Sequence, residues 1–180
     1  NPGERVVIIG GPNSGKTSLF HAMAGLWPWG TGRIELPTAS VMFMPKHPYF
    51  PRGALRELLA YPASPDTFQE GDFIAALTRM GLKHLAPALD KLAQWEKELT
   101  APELQSLAFA RLLLHKPRWV VVDTAIDTFA NEARSVLFDI FKNELASSSL
   151  LAISGIEETY GFYDHLLKLT FEAEGKAHVP

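Results

Sequence analysis

The stretch GGPNSGKTS, residues 10–18, decides the fold that we expect for this chain. It contains the pattern G-x-x-x-x-G-K-T, which starts at Gly10 and ends at Thr17. A β-branched run at residues 6–9 precedes it, and apolar residues at helical spacing follow it. A strand, a glycine-rich loop and a helix in this order are the context that a phosphate-binding P-loop requires. The sequence therefore predicts a nucleotide-phosphate site here.

Each part of this loop has a predicted role in binding a nucleotide. Backbone N–H groups from Asn13 to Ser18 would surround the β-phosphate at the positive end of the helix. Lys16 would bridge the β- and γ-phosphates, and the Thr17 hydroxyl would coordinate Mg²⁺. Asn13 lies where glycine is frequent, and asparagine tolerates the left-handed conformation better than most residues. The predicted nucleotide-binding residues are Gly10, Gly11, Pro12, Asn13, Ser14, Gly15, Lys16, Thr17 and Ser18. The alternative is a glycine-rich turn with no ligand.

A second candidate residue, Asp123, follows an apolar run. The sequence RWVVVDTAIDTF covers residues 118–129, and three valines lead into the aspartate. In P-loop NTPases a carboxylate at the end of a neighbouring strand holds Mg²⁺, usually through water. We therefore expect Asp123 and Thr17 to form the magnesium site. The alternative is an aspartate that only caps a helix or turn.

Composition and charge exclude several classes of protein. The chain has 180 residues, enough for one domain with a substantial core. Its formal net charge of −3 gives no general field for polyanions, so nucleic acid is not an expected partner. It has no cysteine, which excludes disulfides and thiol chemistry. No apolar run approaches the roughly 20 residues that cross a bilayer. Because the chain opens on Asn1 rather than methionine, we expect it to be an excerpt of something longer.

Predicted strands and helices alternate along the chain, which favours a mainly parallel sheet and an α/β fold. Residues from about 51 to 116 carry helical patterns and are too many for one crossover, so we expect an inserted helical subdomain there. Trp27 and Trp29 are expected in the core. The other predicted elements are a helix at 17–26, strands at 39–44, 150–154 and 165–171, and a helix with Asn131 as its N-cap.

These motifs resemble those of the nucleotide-binding domain of ABC transporters, and the resemblance covers residues 1–180. The stretch NPGERVVIIGGPNSGKTSLFHAMAGLWPWGTGRIELP is similar to subfamily D transporters and to bacterial exporters with a fused membrane domain. The resemblance implies a RecA-like P-loop NTPase core at 1–50 and 117–180, with an inserted α-helical subdomain at about 51–116. It also implies ATP and Mg²⁺ as cofactors, and N-terminal strands and a membrane domain outside this chain.

The resemblance further implies partners and a location. In this family two such domains dimerise head to tail, and ATP lies between the P-loop of one and the signature helix of the other. Attached transmembrane domains convert ATP binding and hydrolysis into transport. The expected partners are therefore a second nucleotide-binding domain and a transmembrane domain. The expected location is the cytoplasmic face of a membrane, and the residue that stacks on adenine is expected upstream of Asn1.

Five positions depart from the family pattern, and four of them lie outside the signature segment. The family places a glutamate after the strand aspartate, where it activates the attacking water, but this chain has Thr124. A threonine hydroxyl is not a base near pH 7, and loss of a positioned general base costs about 10²–10⁴-fold in rate. The glutamine of the Q-loop is replaced by Lys46, a cation with no acceptor. The switch histidine corresponds to Ile156 and the D-loop aspartate to Ala130.

The family's signature segment, Leu-Ser-x-Gly-Glu, corresponds to LTAPE at residues 99–103. Thr100 and Glu103 form a T-x-x-E capping box, which predicts a helix start. Pro102, which follows Ala101, is tolerated in a first turn. A glycine at that position would offer its N–H to a γ-phosphate, and proline has no N–H. We therefore expect this helix to start at the family's position but to bind a γ-phosphate more weakly.

The leading hypothesis from the sequence is a degenerate nucleotide-binding domain that binds ATP and hydrolyses it poorly. A second hypothesis is a working ATPase of the same family in which Asp127, Glu157 or Glu158 replaces the missing base. A third is a soluble P-loop kinase or a non-transport ABC protein. Steady phosphate release separates the first two hypotheses.

Overall fold

The computed structural model describes residues 3–155, 161–171 and 177–178. Short 3-10 helices lie at Pro65–Thr67, Lys83–Ala88 and Ile126–Thr128. In chain order the strands and helices are β1 (Arg5–Ile9), α1 (Lys16–Met23), β2 (Val41–Met44), β3 (Gly53–Ala54), α2 (Leu55–Ala60), α3 (Glu70–Arg79), β4 (Leu92–Ala93), α4 (Trp95–Glu98), α5 (Ala101–His115), β5 (Trp119–Asp123), α6 (Asn131–Lys142), β6 (Ser149–Ser154), β7 (His165–Lys168), β8 (Thr170–Phe171) and β9 (Ala177–His178).

The chain divides into two compact units, residues 1–46 with 117–180, and residues 47–116. The first unit contains a five-stranded sheet with the order β2-β5-β6-β1-β7, and all its pairings are parallel. Parallel strands are buried on both faces, which explains why their sequences are rich in valine, isoleucine and leucine. The expected α/β fold with a parallel sheet core is confirmed.

The core of this sheet fixes the strand ends from which the site is built. Ile8, Phe20, Val121, Ile153 and Leu169 form one buried cluster that joins β1, α1, β5 and β6. A fully buried side chain of this size contributes about 1.5–3 kcal/mol to folding. The register pairs Ile9 with Ser154 on one side of β6 and Asp123 with Ile153 on the other. The carboxyl ends of β1, β5 and β6 therefore meet at one edge.

The second unit is mostly helical. Helices α2, α3 and α5 pack together around fully buried side chains, among them Leu55, Phe73 and Leu107. A two-stranded antiparallel ribbon, β3 with β4, lies beside them. Trp95 is buried, and its indole N–H donates to the carbonyl oxygen of Gly53 at 3.0 Å. This bond satisfies the one polar atom of an otherwise apolar side chain.

Helix α1 ends at Met23, three residues before the expected end. Gly25 adopts φ +73°, and the Leu26 and Gly25 N–H groups donate to His21 and Ala22. These two bonds form a Schellman motif, which needs a residue in the left-handed conformation just beyond the helix. The expectation of a helix through residue 26 is wrong because this glycine stops it.

Three further expectations were wrong in detail. Ala130 is the N-cap of α6 and Asn131 is its first residue, a shift of one position at a helix end. The strand expected at 165–171 is divided, because Leu169 lies between β7 and β8. Trp27 and Trp29 are 41% and 70% exposed and pack edge to face against each other instead of entering the core. No helix in the described part of the chain is both long and apolar enough to cross a bilayer.

Candidate functional site

The predicted P-loop connects the buried strand β1 to helix α1. Asn13 and Gly15 both lie in the left-handed region, with φ +60° and +87°. Gly15 is the N-cap of α1, and none of the described side chains caps this helix end. The first amides of a helix have no partner within the helix. These amides are therefore free of side-chain caps and can take an anion.

Gly10 is required where β1 enters the loop. A Cβ atom added there would lie 2.6 Å from Ser14 Oγ and 2.7 Å from the carbonyl oxygen of Leu169. One of these neighbours is backbone and cannot move away cheaply. The backbone of the loop passes too close to its surroundings for any other residue.

The Lys16 ammonium is bound by the loop itself. Its Nζ donates to the carbonyl oxygens of Gly10 and Gly11 at 2.5 and 2.9 Å, and to Ser14 Oγ at 3.2 Å. These contacts hold a positive charge beside the loop's uncapped amides. Together they make a local field suited to phosphate.

Asp123 lies at the end of β5 and is 5% exposed. Burial raises the pKa of its carboxyl group; the charge of His21, a hydrogen bond with Thr17, the charge of Lys46 and a hydrogen bond with Thr124 oppose this rise. Within the described residues, Oδ1 of Asp123 is buried without a hydrogen-bond partner. The structure thus brings Thr17 and Asp123 together and leaves one carboxylate oxygen unused.

The donors present fit Mg²⁺. A buried carboxylate oxygen without a partner and a neighbouring hydroxyl are hard oxygen ligands, the type that Mg²⁺ prefers. No group of three or more histidine, cysteine or acidic side chains that could hold a metal occurs among the described residues. Mg²⁺ commonly uses only one or two protein ligands and takes the rest from nucleotide phosphates and water.

Thr124, at the predicted base position, has an unusual backbone. Its φ is +49°, in the left-handed region. Its N–H donates to the carbonyl oxygen of Ile153 at 2.8 Å, and its carbonyl oxygen accepts from the Asp127 N–H at 3.1 Å. The conformation is therefore fixed by bonds to β6 and within the following turn. A β-branched residue there is strained.

Asp127, the replacement base that lies within the described residues, has both carboxylate oxygens occupied. The Ser154 hydroxyl donates to Oδ1 at 2.7 Å, and the Gly155 N–H donates to Oδ2 at 2.7 Å. Each of its two oxygens therefore already accepts a hydrogen bond from the end of β6. No short-range sequence pattern indicates this arrangement. Ile156, Glu157 and Glu158 lie outside the described residues.

In the second unit, the predicted signature positions lie at the start of α5. Thr100 is the N-cap; its Oγ1 accepts from the Glu103 N–H at 3.4 Å, and Glu103 Oε2 accepts from the Thr100 N–H at 2.9 Å. The Thr100 N–H also lowers the pKa of the Glu103 carboxyl group, with help from the Thr100 hydroxyl. Ala101 and Pro102 are the first two helical residues. The predicted capping box is present. Because Pro102 has no backbone N–H, the first turn offers one hydrogen-bond donor fewer.

Comparison with known proteins identifies the family. Residues 1–127 match the family described as ABC transporter. The chain belongs to the ABC transporter family. An uncharacterised ABC transporter ATP-binding protein of Haemophilus influenzae is 34% identical over 84% of this chain and 26% of its own length. ATP-binding cassette sub-family D member 1 of Drosophila melanogaster is 27% identical over 93% of this chain and 24% of its own length.

A solved structure supports the same fold. A bacterial Atm1-family ABC exporter with ATP bound matches with a TM-score of 0.79 at 18% identity, over 94% of this chain and 32% of that chain. The chain thus spans about a quarter to a third of the length of these proteins. The resemblance to the nucleotide-binding domain of ABC transporters, including subfamily D, is confirmed. Membership of the family implies nucleotide binding and excludes the soluble P-loop kinase.

Proposed function

We propose that this chain is the nucleotide-binding domain of a membrane transporter, which binds MgATP at its P-loop and hydrolyses it slowly. The observation that carries the proposal is the contrast at one sheet edge. Lys16, Thr17 and Asp123 lie there with the chemistry that a nucleotide and Mg²⁺ need, whereas Thr124 occupies the base position.

The binding half of the proposal assigns a role to each part of the loop. The backbone amides of residues 13–18 would hold the β-phosphate, and Lys16 would leave the Gly10 and Gly11 carbonyls to bridge the β- and γ-phosphates. Thr17 and Asp123 would hold Mg²⁺, which neutralises charge on the phosphates when bound. The unpartnered Oδ1 of Asp123 supports this assignment.

The proposal of slow hydrolysis rests on the residues around the expected position of the attacking water. Thr124 has no group that accepts a proton near pH 7, and both oxygens of Asp127 already accept hydrogen bonds. Lys46 adds a cation near Asp123 where the family has a neutral glutamine. Among the described residues, water held here would therefore meet no unoccupied base that could activate it.

The remaining parts of the proposal concern assembly. We assign residues 1–50 and 117–180 to the core and about 51–116 to the helical subdomain, which presents α5 to a second nucleotide-binding domain arranged head to tail. An attached transmembrane domain would hold the chain at the cytoplasmic face of a membrane. Pro102 would weaken the contact that α5 makes with the partner's γ-phosphate, because it has no N–H to donate.

The test is a parallel measurement on the full-length protein of affinity for a non-hydrolysable ATP analogue with Mg²⁺ and of phosphate release from MgATP. We expect specific binding, with turnover at least about 10²-fold below the 10 s⁻¹ typical of enzymes. Release near that typical rate would instead support a working ATPase with replacement residues. Absence of nucleotide binding would overturn both.

A further inference from the structure

Asp127 lies at a junction of three segments near the nucleotide site. It belongs to the short 3-10 helix that follows β5, four residues after Asp123. Its carboxylate reaches across to the end of β6, where it accepts from the Ser154 hydroxyl and the Gly155 N–H, each at 2.7 Å. A carboxylate with two short, directed bonds to consecutive residues holds that backbone more firmly than a neutral acceptor does.

The same residue is bonded to the turn at the base position. The Asp127 N–H donates to the carbonyl oxygen of Thr124, and the Thr124 N–H donates to Ile153 on β6. Three hydrogen bonds and the peptide bond between Ile153 and Ser154 therefore form a closed ring through Thr124 and Asp127. It extends the pairing of β5 and β6 beyond the last sheet pair, Asp123 with Ile153.

Asp127 also interacts electrostatically with Tyr163, which lies further along the chain. Burial raises the pKa of the Tyr163 phenol, and the negative charge of Asp127 adds to this rise. Tyr163 packs edge to face against Phe138 and Phe162 and is thereby fixed in the first unit. Asp127 therefore lies close to the described residues on both sides of 156–160, a segment that includes the family's switch position.

We propose that Asp127 is a positioning residue, whose carboxylate ties the exit of β6 at Ser154 and Gly155 to the turn that carries Thr124. This role rests on the proposed function, since it fixes the direction in which the chain leaves the nucleotide site. It differs from the role of replacement base, because it uses the carboxylate as a permanent acceptor and transfers no proton.

The test is hydrogen exchange of the Gly155 amide in the full-length protein without nucleotide, measured by mass spectrometry with residue-level fragmentation. Asp127→Ala should speed exchange roughly 10-fold or more, because a charge-assisted bond is lost. Asp127→Asn should stay within about threefold of wild type, since its amide oxygen can still accept from Gly155. Asp139→Ala is the matched control and should leave exchange unchanged, because this exposed carboxylate on α6 bonds to Asn143, whereas the Gly155 N–H donates to Asp127.

Phosphate release then separates positioning from catalysis. Asp127→Asn should release phosphate within about twofold of wild type, whereas a catalytic base replaced by asparagine loses about 10²-fold or more. Unchanged Gly155 exchange in Asp127→Ala, or exchange in Asp127→Asn as fast as in Asp127→Ala, overturns the inference. Because the exchange is measured without nucleotide, it is independent of whether the chain binds ATP; absent binding contradicts the proposed function alone.

Discussion

The P-loop and the turn after β5 both place residues in the left-handed region, but they do so with different side chains. Asn13 and Gly15 enter it at φ +60° and +87°, and Thr124 enters it at φ +49°. Glycine and asparagine adopt this conformation at little cost, whereas a β-branched residue there costs about 1–3 kcal/mol. The predicted P-loop therefore has residues suited to its backbone. The predicted base position has a tight turn there, but its side chain is not a base.

The largest expected effect tests the phosphate-binding side of this comparison. Lys16→Ala should weaken binding of a Mg²⁺–ATP analogue by about 10²-fold, because it removes a charge-assisted contact to phosphate. Calorimetric titration of the full-length protein measures the change. Lys142→Ala, which removes an exposed cation at the end of α6, is the control and should bind as wild type does. Equal affinities of wild type and Lys16→Ala would show that the loop is not the site.

The next prediction tests the other side, at the base position. Thr124→Glu should raise phosphate release by about 10-fold or more, because it supplies a general base on a backbone already held by Ile153 and Asp127. The gain should be smaller than the full effect of a base, since Lys46 and Pro102 remain. Steady-state phosphate release measures it.

The matched control for this gain is Thr124→Gln. Glutamine has the size of glutamate but cannot take a proton near pH 7. It should leave phosphate release at the wild-type rate. An equal gain in both variants would mean that packing or backbone strain at residue 124, rather than the lack of a base, limits hydrolysis.

The sequence was sufficient to predict the fold where local pattern and chemistry agree. The β-branched run at 6–9, the loop from Gly10 and the valines before Asp123 predicted a parallel α/β core, which the structure confirms. These signals are local: a strand period, a turn residue and a helix period occur within about 20 residues. The roles of the individual loop residues stay predictions, which Lys16→Ala tests.

The sequence could not reveal features set by contacts between distant residues. Asp127 bonds to a residue 27 positions away, and no spacing rule connects the two. The left-handed Thr124 is likewise imposed by its bond to Ile153 on the neighbouring strand, against its own preference. Exposure of Trp27 and Trp29 could not be predicted either, because large aromatic residues are usually buried.

A third prediction concerns the cation beside Asp123. Burial raises the pKa of Asp123 and the Lys46 charge opposes this rise, so Lys46 lies near the proposed magnesium site. Lys46→Gln should therefore make binding of the ATP analogue more dependent on Mg²⁺, by about 10-fold in the ratio of affinities with and without EDTA. Lys142→Gln is the control. An unchanged ratio would mean that the Lys46 ammonium does not reach the bound phosphates.

The smallest expected effect tests the strain on which the comparison depends. Thr124→Asn should stabilise the full-length protein without nucleotide by about 0.5–1 kcal/mol, because asparagine adopts the left-handed conformation more readily than threonine. The reciprocal change, Asn13→Thr, should destabilise it by about 1 kcal/mol for the same reason. Chemical denaturation monitored by fluorescence measures both free energies of unfolding.

The control for this pair is Thr67→Asn, the same replacement at an exposed residue outside the left-handed region. It should change the free energy of unfolding by less than about 0.5 kcal/mol. If Thr124→Asn is no more stable than wild type while Asn13→Thr is destabilised, the bonds to Ile153 and Asp127 fit threonine better than its intrinsic preference implies. The turn after β5 would then be as well matched to its sequence as the P-loop, and the contrast between them would be one of side-chain chemistry alone.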